Sequence, residues 1–217
     1  MASVTLQIKM GKVLDIHLSY QGMKTIMTDR KPENAILPLI LNRRSSRAMT
    51  GGTVPHAQLL SLFEAARWAP SAFNNQPWRF LYAHRDSVHW PLFFDLLGEF
   101  NQSWCKNAGA LILLIAKTTF DHNGESARLY AFDAGAAWEN LAIEATNLGL
   151  VSHAMQGFDH VQARPALNIP EGFDPLIMIA VGHKAAAESL PEALREREKP
   201  TLRKSLSELA FAGPFPI

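Results

Sequence analysis

At 217 residues and 24.1 kDa the chain is the size of one domain, and its 47% of hydrophobic residues suffices to fill a core. A formal net charge of +1 gives no general attraction to nucleic acid or to an anionic membrane, so any basic cluster acts locally. The single cysteine, Cys105, excludes an internal disulfide and fits a reducing cytoplasm, and the eight histidines lack metal-ligand spacing, which argues against a zinc site.

Residues Met1 to Thr28 lack a long apolar stretch followed by a small-residue cleavage site, so they do not read as a signal peptide. Segments 4–8 and 13–16 alternate like strands, yet Met23 offers a second translation start. The expectation is an N-terminal extension over residues 1–30 before a single domain over 31–217. No apolar run approaches the roughly 20 residues that span a bilayer, so a soluble chain is expected.

Apolar Ile36 to Leu41 leads into Arg43-Arg44-Ser45-Ser46-Arg47. Guanidinium forks bind phosphate oxygens in bidentate fashion, each charge-assisted bond being worth roughly 1.5 to 3 kcal/mol, and serine adds a neutral donor. The same composition also suits a solvated charge run. Pro55 to Trp68 then reads as a helix with Leu59, Phe63 and Ala66 on one face, Pro55 in its first turn and Pro70 ending it. Arg79 to Arg85 alternates and is aromatic, as a strand would be. Between them, Pro70-Ser71-Ala72-Phe73-Asn74-Asn75-Gln76-Pro77-Trp78 is a polar turn at a helix-to-strand junction. Side-chain amides carry donors and acceptors together and suit the edge of a flat heterocycle, although such a turn can also cap itself.

Further on, Cys105 lies in Gln102–Asn107 without a base partner and reads as packing. Gly109 to Lys117 and Leu176 to Gly182 are aliphatic runs short enough for central strands buried on both faces. Leu129 to Leu148 places Ala134, Trp138, Leu141, Ala145 and Leu148 on one helical face, with Gly149 as its C-cap. Gly135, Ala136 and Ala137 would admit a second helix, in the core or across a dimer interface. The tail Phe211 to Ile217 is apolar and broken by prolines, which suits an extended arm.

Four stretches, Arg43 to Arg47, Ala69 to Trp78, His153 to Phe158 and Arg197 to Lys204, resemble in order and spacing the FMN-dependent nitroreductase family. The resemblance covers about residues 36–217. It implies an α+β fold with a central, mostly antiparallel mixed sheet flanked by helices, and an intertwined homodimer that exchanges C-terminal arms and holds FMN in the grooves between chains. By the same resemblance Arg43, Ser45, Arg47 and Arg203 grip the FMN phosphate, with Arg44 nearby through its backbone and stem. Asn74 meets the flavin ring edge, Ser71 and Gln76 support the loop or the ribityl chain, and Met155, Gln156 and Gly157 lay backbone against the flavin N5. Many relatives carry Glu where this chain has Gln156, so only the backbone contact carries over. Trp78 reads as core. Trp104 and the loop from Phe120 to Ser126 are positional choices for the substrate side.

The implied activity is ping-pong transfer of hydride from NADH or NADPH, through FMN, to nitroaromatics, quinones or related small electrophiles, in the cytoplasm, with no catalytic side chain, no metal, no nucleic acid and no membrane partner. There is no Gly-x-Gly-x-x-Gly fingerprint to choose between the two donors. A non-catalytic flavin-binding protein and an oxygen-dependent flavin-consuming or dehalogenating relative are the alternatives.

Overall fold

Two aliphatic runs form the middle of a four-stranded sheet in the computed structural model, which describes residues 30–216. The extension expected over residues 1–30 lies outside the described residues except for Arg30. The strands are β1 (Trp78–His84), β2 (Ala110–Lys117), β3 (Leu150–Met155) and β4 (Phe173–His183), in the order β1-β2-β4-β3. Every pairing among the described residues is antiparallel, so the parallel component of a mixed sheet is not among them.

The central position of β2 explains its lack of alternation. Leu111, Leu113 and Ile115 face one apolar cluster, while Ala110, Ile112, Leu114 and Ala116 face another. Both faces are covered, so both sets must be apolar. Pro175 lies opposite Ile115, where the register between β2 and β4 slips by one residue. Proline has no N–H to donate, and the bulge absorbs that loss.

Among the described residues seven α-helices flank the sheet: α1 (Pro38–Asn42), α2 (His56–Arg67), α3 (Trp90–Phe94), α4 (Glu99–Cys105), α5 (Tyr130–Asn147), α6 (His160–Ala166) and α7 (Glu192–Arg195). One face is closed by α2 through Leu59, Leu62 and Ala66, and by α5 through Ala134, Ala137, Leu141 and Ala145. The other is closed by Met49, Phe93, Trp104, Cys105, Ala163 and Leu194. The expected helices over 55–68 and 129–148 are α2 and α5, and Gly149 follows α5 with φ +72°, the left-handed value of a C-cap glycine. On α2, Leu62 rather than Phe63 is fully buried, and Phe63 instead stacks on Phe80 with ring centroids 5.3 Å apart. On α5, Ala137 and Ala142 are buried and the larger Trp138 is only half-buried, because small side chains let the helix approach the sheet.

After α7 the chain runs over 199–216 with one short 3-10 turn, Leu206–Glu208, closed by a capping box between Ser205 and Glu208. Phe211 to Pro216 forms no helix, as its prolines require.

Candidate functional site

The basic loop 43–47 is fixed from two sides. Toward the sheet, Nδ1 of His153 on β3 lies 2.9 Å from the Ser45 carbonyl. A carbonyl accepts only, so the neutral imidazole carries its proton on Nδ1 and donates it. The His153 ring is buried and sits 4.8 Å, centroid to centroid, from Trp104. Burial, reinforced by the nearby Arg47 guanidinium, lowers the His153 pKa from 6.5 to about 4, so the ring is neutral at neutral pH.

Toward the C-terminal segment the loop is tied to Glu198. Its carboxylate accepts from the Ser46 hydroxyl and, at 2.9 Å, from the Arg47 N–H. The Arg47 guanidinium stands 3.9 Å from the same carboxylate and over the Trp104 ring, while Arg44 donates to the Glu198 carbonyl. Burial lowers the Arg47 pKa, and Glu198 opposes that shift.

Between the two segments opens a cavity of about 130 Å³, lined by Arg43, Arg44 and Ser45 on one side and Arg197, Lys199 and Arg203 on the other. Arg30, Ser46 and Thr201 also border it, and Glu198 is the one acidic side chain among its lining residues. Burial, followed by repulsion from Arg203, Arg44 and Arg43, lowers the Arg30 pKa. The same crowding of like charge favours an anion in the cavity. Of the residues expected to meet a phosphate, Arg43, Arg44, Ser45 and Arg203 meet here. Arg47 does not line the cavity, being drawn inward to Glu198 and Trp104.

The polar turn 70–77 sits at the start of β1, the opposite edge of the sheet from β3. Three strand spacings separate those edges, about 14 Å. The turn is built in a strained conformation: Phe73, Asn74 and Gln76 have φ of +52°, +53° and +47°. Asparagine tolerates that region, whereas a bulky aromatic does not, and such strain costs about 1 to 3 kcal/mol per residue. Hydrogen bonds hold it in place. The Ala72 N–H donates to Oδ2 of Asp133 on α5 at 3.0 Å, the Gln76 N–H to Oγ of Ser71 at 3.0 Å, and Nδ2 of Asn75 to the Thr119 carbonyl at 3.2 Å. Ser71 and Asn75 are therefore committed to the loop itself. The Asn74 side-chain amide is exposed and takes part in none of the described hydrogen bonds.

Phe120 stands beside this turn, edge-on to Phe73 at 5.5 Å and 5.3 Å from His122, forming an aromatic trio on the same rim. Trp104 requires a correction. It is 1% exposed, packed among His153, Arg47 and the core under the sheet, and cannot line a substrate-facing surface. Helix α4, which buries Asn101, Trp104 and Cys105, carries the indole inward. Trp78 is core, as expected.

Where β3 ends, the Met155 side chain is buried with its sulfur 3.6 Å from that of Cys105, and Gln156 is exposed. The Gly157 carbonyl accepts from Nδ2 of Asn101 at 2.9 Å and from the Gly98 N–H at 3.1 Å. A Cβ on Gly157 would stand 2.7 Å from Asn101 Nδ2, so a larger residue there would displace the amide that donates to the Gly157 carbonyl. Cys105 is fully buried and its pKa is pushed well up by desolvation, which leaves an inert thiol. Among the described residues no group of three or more His, Cys, Asp or Glu could hold a metal ion, and no helix is long and apolar enough to cross a membrane.

The nitroreductase family model matches residues 40–90 and 95–183, which include the basic loop, the polar turn and the end of β3. The chain belongs to the nitroreductase family. An oxidoreductase containing FMN, known from its crystal structure, is 44% identical with a TM-score of 0.84, over 88% of this chain and 99% of its own. A nitroreductase from Desulfovibrio desulfuricans, solved in complex with FMN, is 29% identical with a TM-score of 0.65, over 85% of this chain and all of its own. An uncharacterised 15.4 kDa protein of Mycolicibacterium smegmatis is 40% identical over 112 residues, 51% of this chain and 74% of its own. The family's α+β fold is the one described above. Glu198 and His153 lie within two of the four stretches that carry the resemblance, but their role in holding the basic loop is not legible there, because the partners of each are distant in the chain.

Proposed function

We propose that the chain is an FMN-dependent oxidoreductase that takes electrons from NADH or NADPH and reduces nitroaromatics, quinones or related small electrophiles in a ping-pong cycle. The observation that carries this reading is the cavity walled by Arg43, Arg44, Ser45 and Arg203. Its donors are cationic forks and a hydroxyl, which match a phosphate of about −1.5 to −2 charge. The donor set fits the phosphate end of FMN, and two structural relatives, by their descriptions, contain that cofactor. When bound, FMN would supply hydride acceptance and delivery at N5.

The chain's own residues bind and orient. Arg43, Ser45 and Arg203 hold the phosphate, with Arg44 lining the wall, while Arg47 secures that wall through Glu198. The backbone of Met155, Gln156 and Gly157 lies on the same β3 edge and presents N–H groups to the ring. Asn74 stands on the far edge, so it serves a ring bound by the neighbouring chain: Asn74 of the partner subunit would meet the flavin edge, with Ser71 and Gln76 shaping its loop. Phe120 faces the substrate side. This reading requires a homodimer. Large apolar side chains left exposed support it, among them Trp68 at 73%, Phe132 at 76% and, on the C-terminal arm, Leu202 at 96%.

The test is Arg43→Ala combined with Arg203→Ala. Losing two charge-assisted contacts should weaken FMN retention by about a hundredfold or more while the circular dichroism spectrum is kept. Full retention of FMN would contradict the phosphate assignment.

A further inference from the structure

We infer that Glu198 is a positioning residue that clasps the basic loop to the C-terminal segment and thereby sets the spacing of the two walls of the anion cavity. This inference rests on the phosphate-binding reading above. Within four residues of the loop, three are bound to this one position: Ser46 through its hydroxyl, Arg47 through its N–H at 2.9 Å and its guanidinium at 3.9 Å, and Arg44 through the Glu198 carbonyl. The Glu198 side chain is 9% exposed, so these contacts are made largely away from water. Two segments about 150 residues apart thus close as one unit, with Arg43 and Ser45 on one wall and Arg197, Lys199 and Arg203 on the other.

Charge alone predicts the opposite of this role. Glu198 is the acidic member of a cationic cavity, so neutralising it should strengthen anion binding if it acted only through its field. If it acts by holding the walls, neutralising it should weaken binding despite the gain in positive charge. A carboxylate accepts from Ser46 and Arg47 at once and carries the charge that draws in the Arg47 guanidinium, whereas a carboxamide keeps one acceptor oxygen, can at best reverse the Ser46 bond by donating to its oxygen, and has no charge to hold the guanidinium. The sign of the change therefore separates the two roles.

The experiment compares wild type with Glu198→Gln, and with Ser46→Ala as a milder cut at the same contact, each as the full chain stripped of flavin. FMN and riboflavin are titrated in parallel by flavin fluorescence, and hydrogen exchange is followed at the Arg47 amide and across residues 195–203. The expected result is FMN affinity lowered about tenfold or more in Glu198→Gln and less in Ser46→Ala, riboflavin affinity unchanged, and faster exchange at Arg47. FMN bound as tightly or more tightly would overturn the inference, as would equal weakening of FMN and riboflavin, which a general loosening of the fold produces. Should wild type bind neither flavin, the cofactor reading fails on its own. Exchange at Arg47 then decides the clasp: acceleration in Glu198→Gln supports it and no change refutes it.

Discussion

Replacing His153 by asparagine tests the anchoring of the basic loop with a sign and a size fixed in advance. In the folded chain burial, with the help of Arg47, lowers the His153 pKa from 6.5 to about 4. The unfolded chain binds the proton near 6.5 and the folded chain does not, so the unfolded state holds more protons between those values. Stability is then intact above pH 6.5, falls as the pH drops toward 4, and loses nothing more from this residue below that. Each pH unit of the interval is worth about 1.4 kcal/mol, which makes the whole about 3 kcal/mol. Asparagine can offer an N–H donor near the position of Nδ1 and keep the bond to the Ser45 carbonyl, but it does not titrate. Urea unfolding of wild type and His153→Asn at pH 7.5, 5.5 and 4 should show wild type losing about 3 kcal/mol more than the variant across that range. Other titrating groups are common to both proteins and cancel in the comparison. Parallel stability curves would refute the claim that His153 is held neutral against the loop.

Trp104→Phe should lower stability by about 1 to 3 kcal/mol through lost core packing while leaving the KM values for electron acceptors unchanged; a changed acceptor preference in steady-state assays would return Trp104 to the substrate side. Phe73→Asn should raise stability by up to about 1 kcal/mol, because asparagine accepts the left-handed backbone at +52° that phenylalanine resists, and thermal unfolding reads the shift directly. A fall in melting temperature would mean that the ring contacts with Phe120 and His122 outweigh the strain. The Cys105 thiol should react with an aromatic disulfide reagent only after denaturation, since it is fully buried and its pKa is raised; rapid labelling of the native protein would contradict that burial.

The long elements were legible because their apolar pattern is unbroken. β2 and β4 read as buried strands from composition alone, and α2 and α5 from the spacing of Leu59, Ala66, Ala134 and Leu141. β3 was not foreseen, since Ser152 and His153 interrupt it with polar groups that only tertiary partners satisfy. The short helices α3, α4 and α6 hold one or two turns each, too few for a periodicity to declare itself, and missing α4 misplaced Trp104. Arg43, Arg44 and Ser45 on the cavity wall were legible as a run of like chemistry, and Arg203 through the resemblance. Glu198 was not, because its meaning lies in Ser46 and Arg47, which are 152 and 151 residues away. The separation of Asn74 from the basic loop likewise depends on strand order, which places their two edges on opposite sides of β2 and β4.

The measurement that bears most directly on the proposed activity is the visible absorption spectrum of the purified protein, taken before and after anaerobic NADH or NADPH and again after a nitroaromatic or quinone, with the released cofactor identified by mass. The account predicts an FMN spectrum that bleaches with the nicotinamide donor and returns with the acceptor. FMN that stays oxidised with both donors, or a protein with no affinity for FMN, would contradict it.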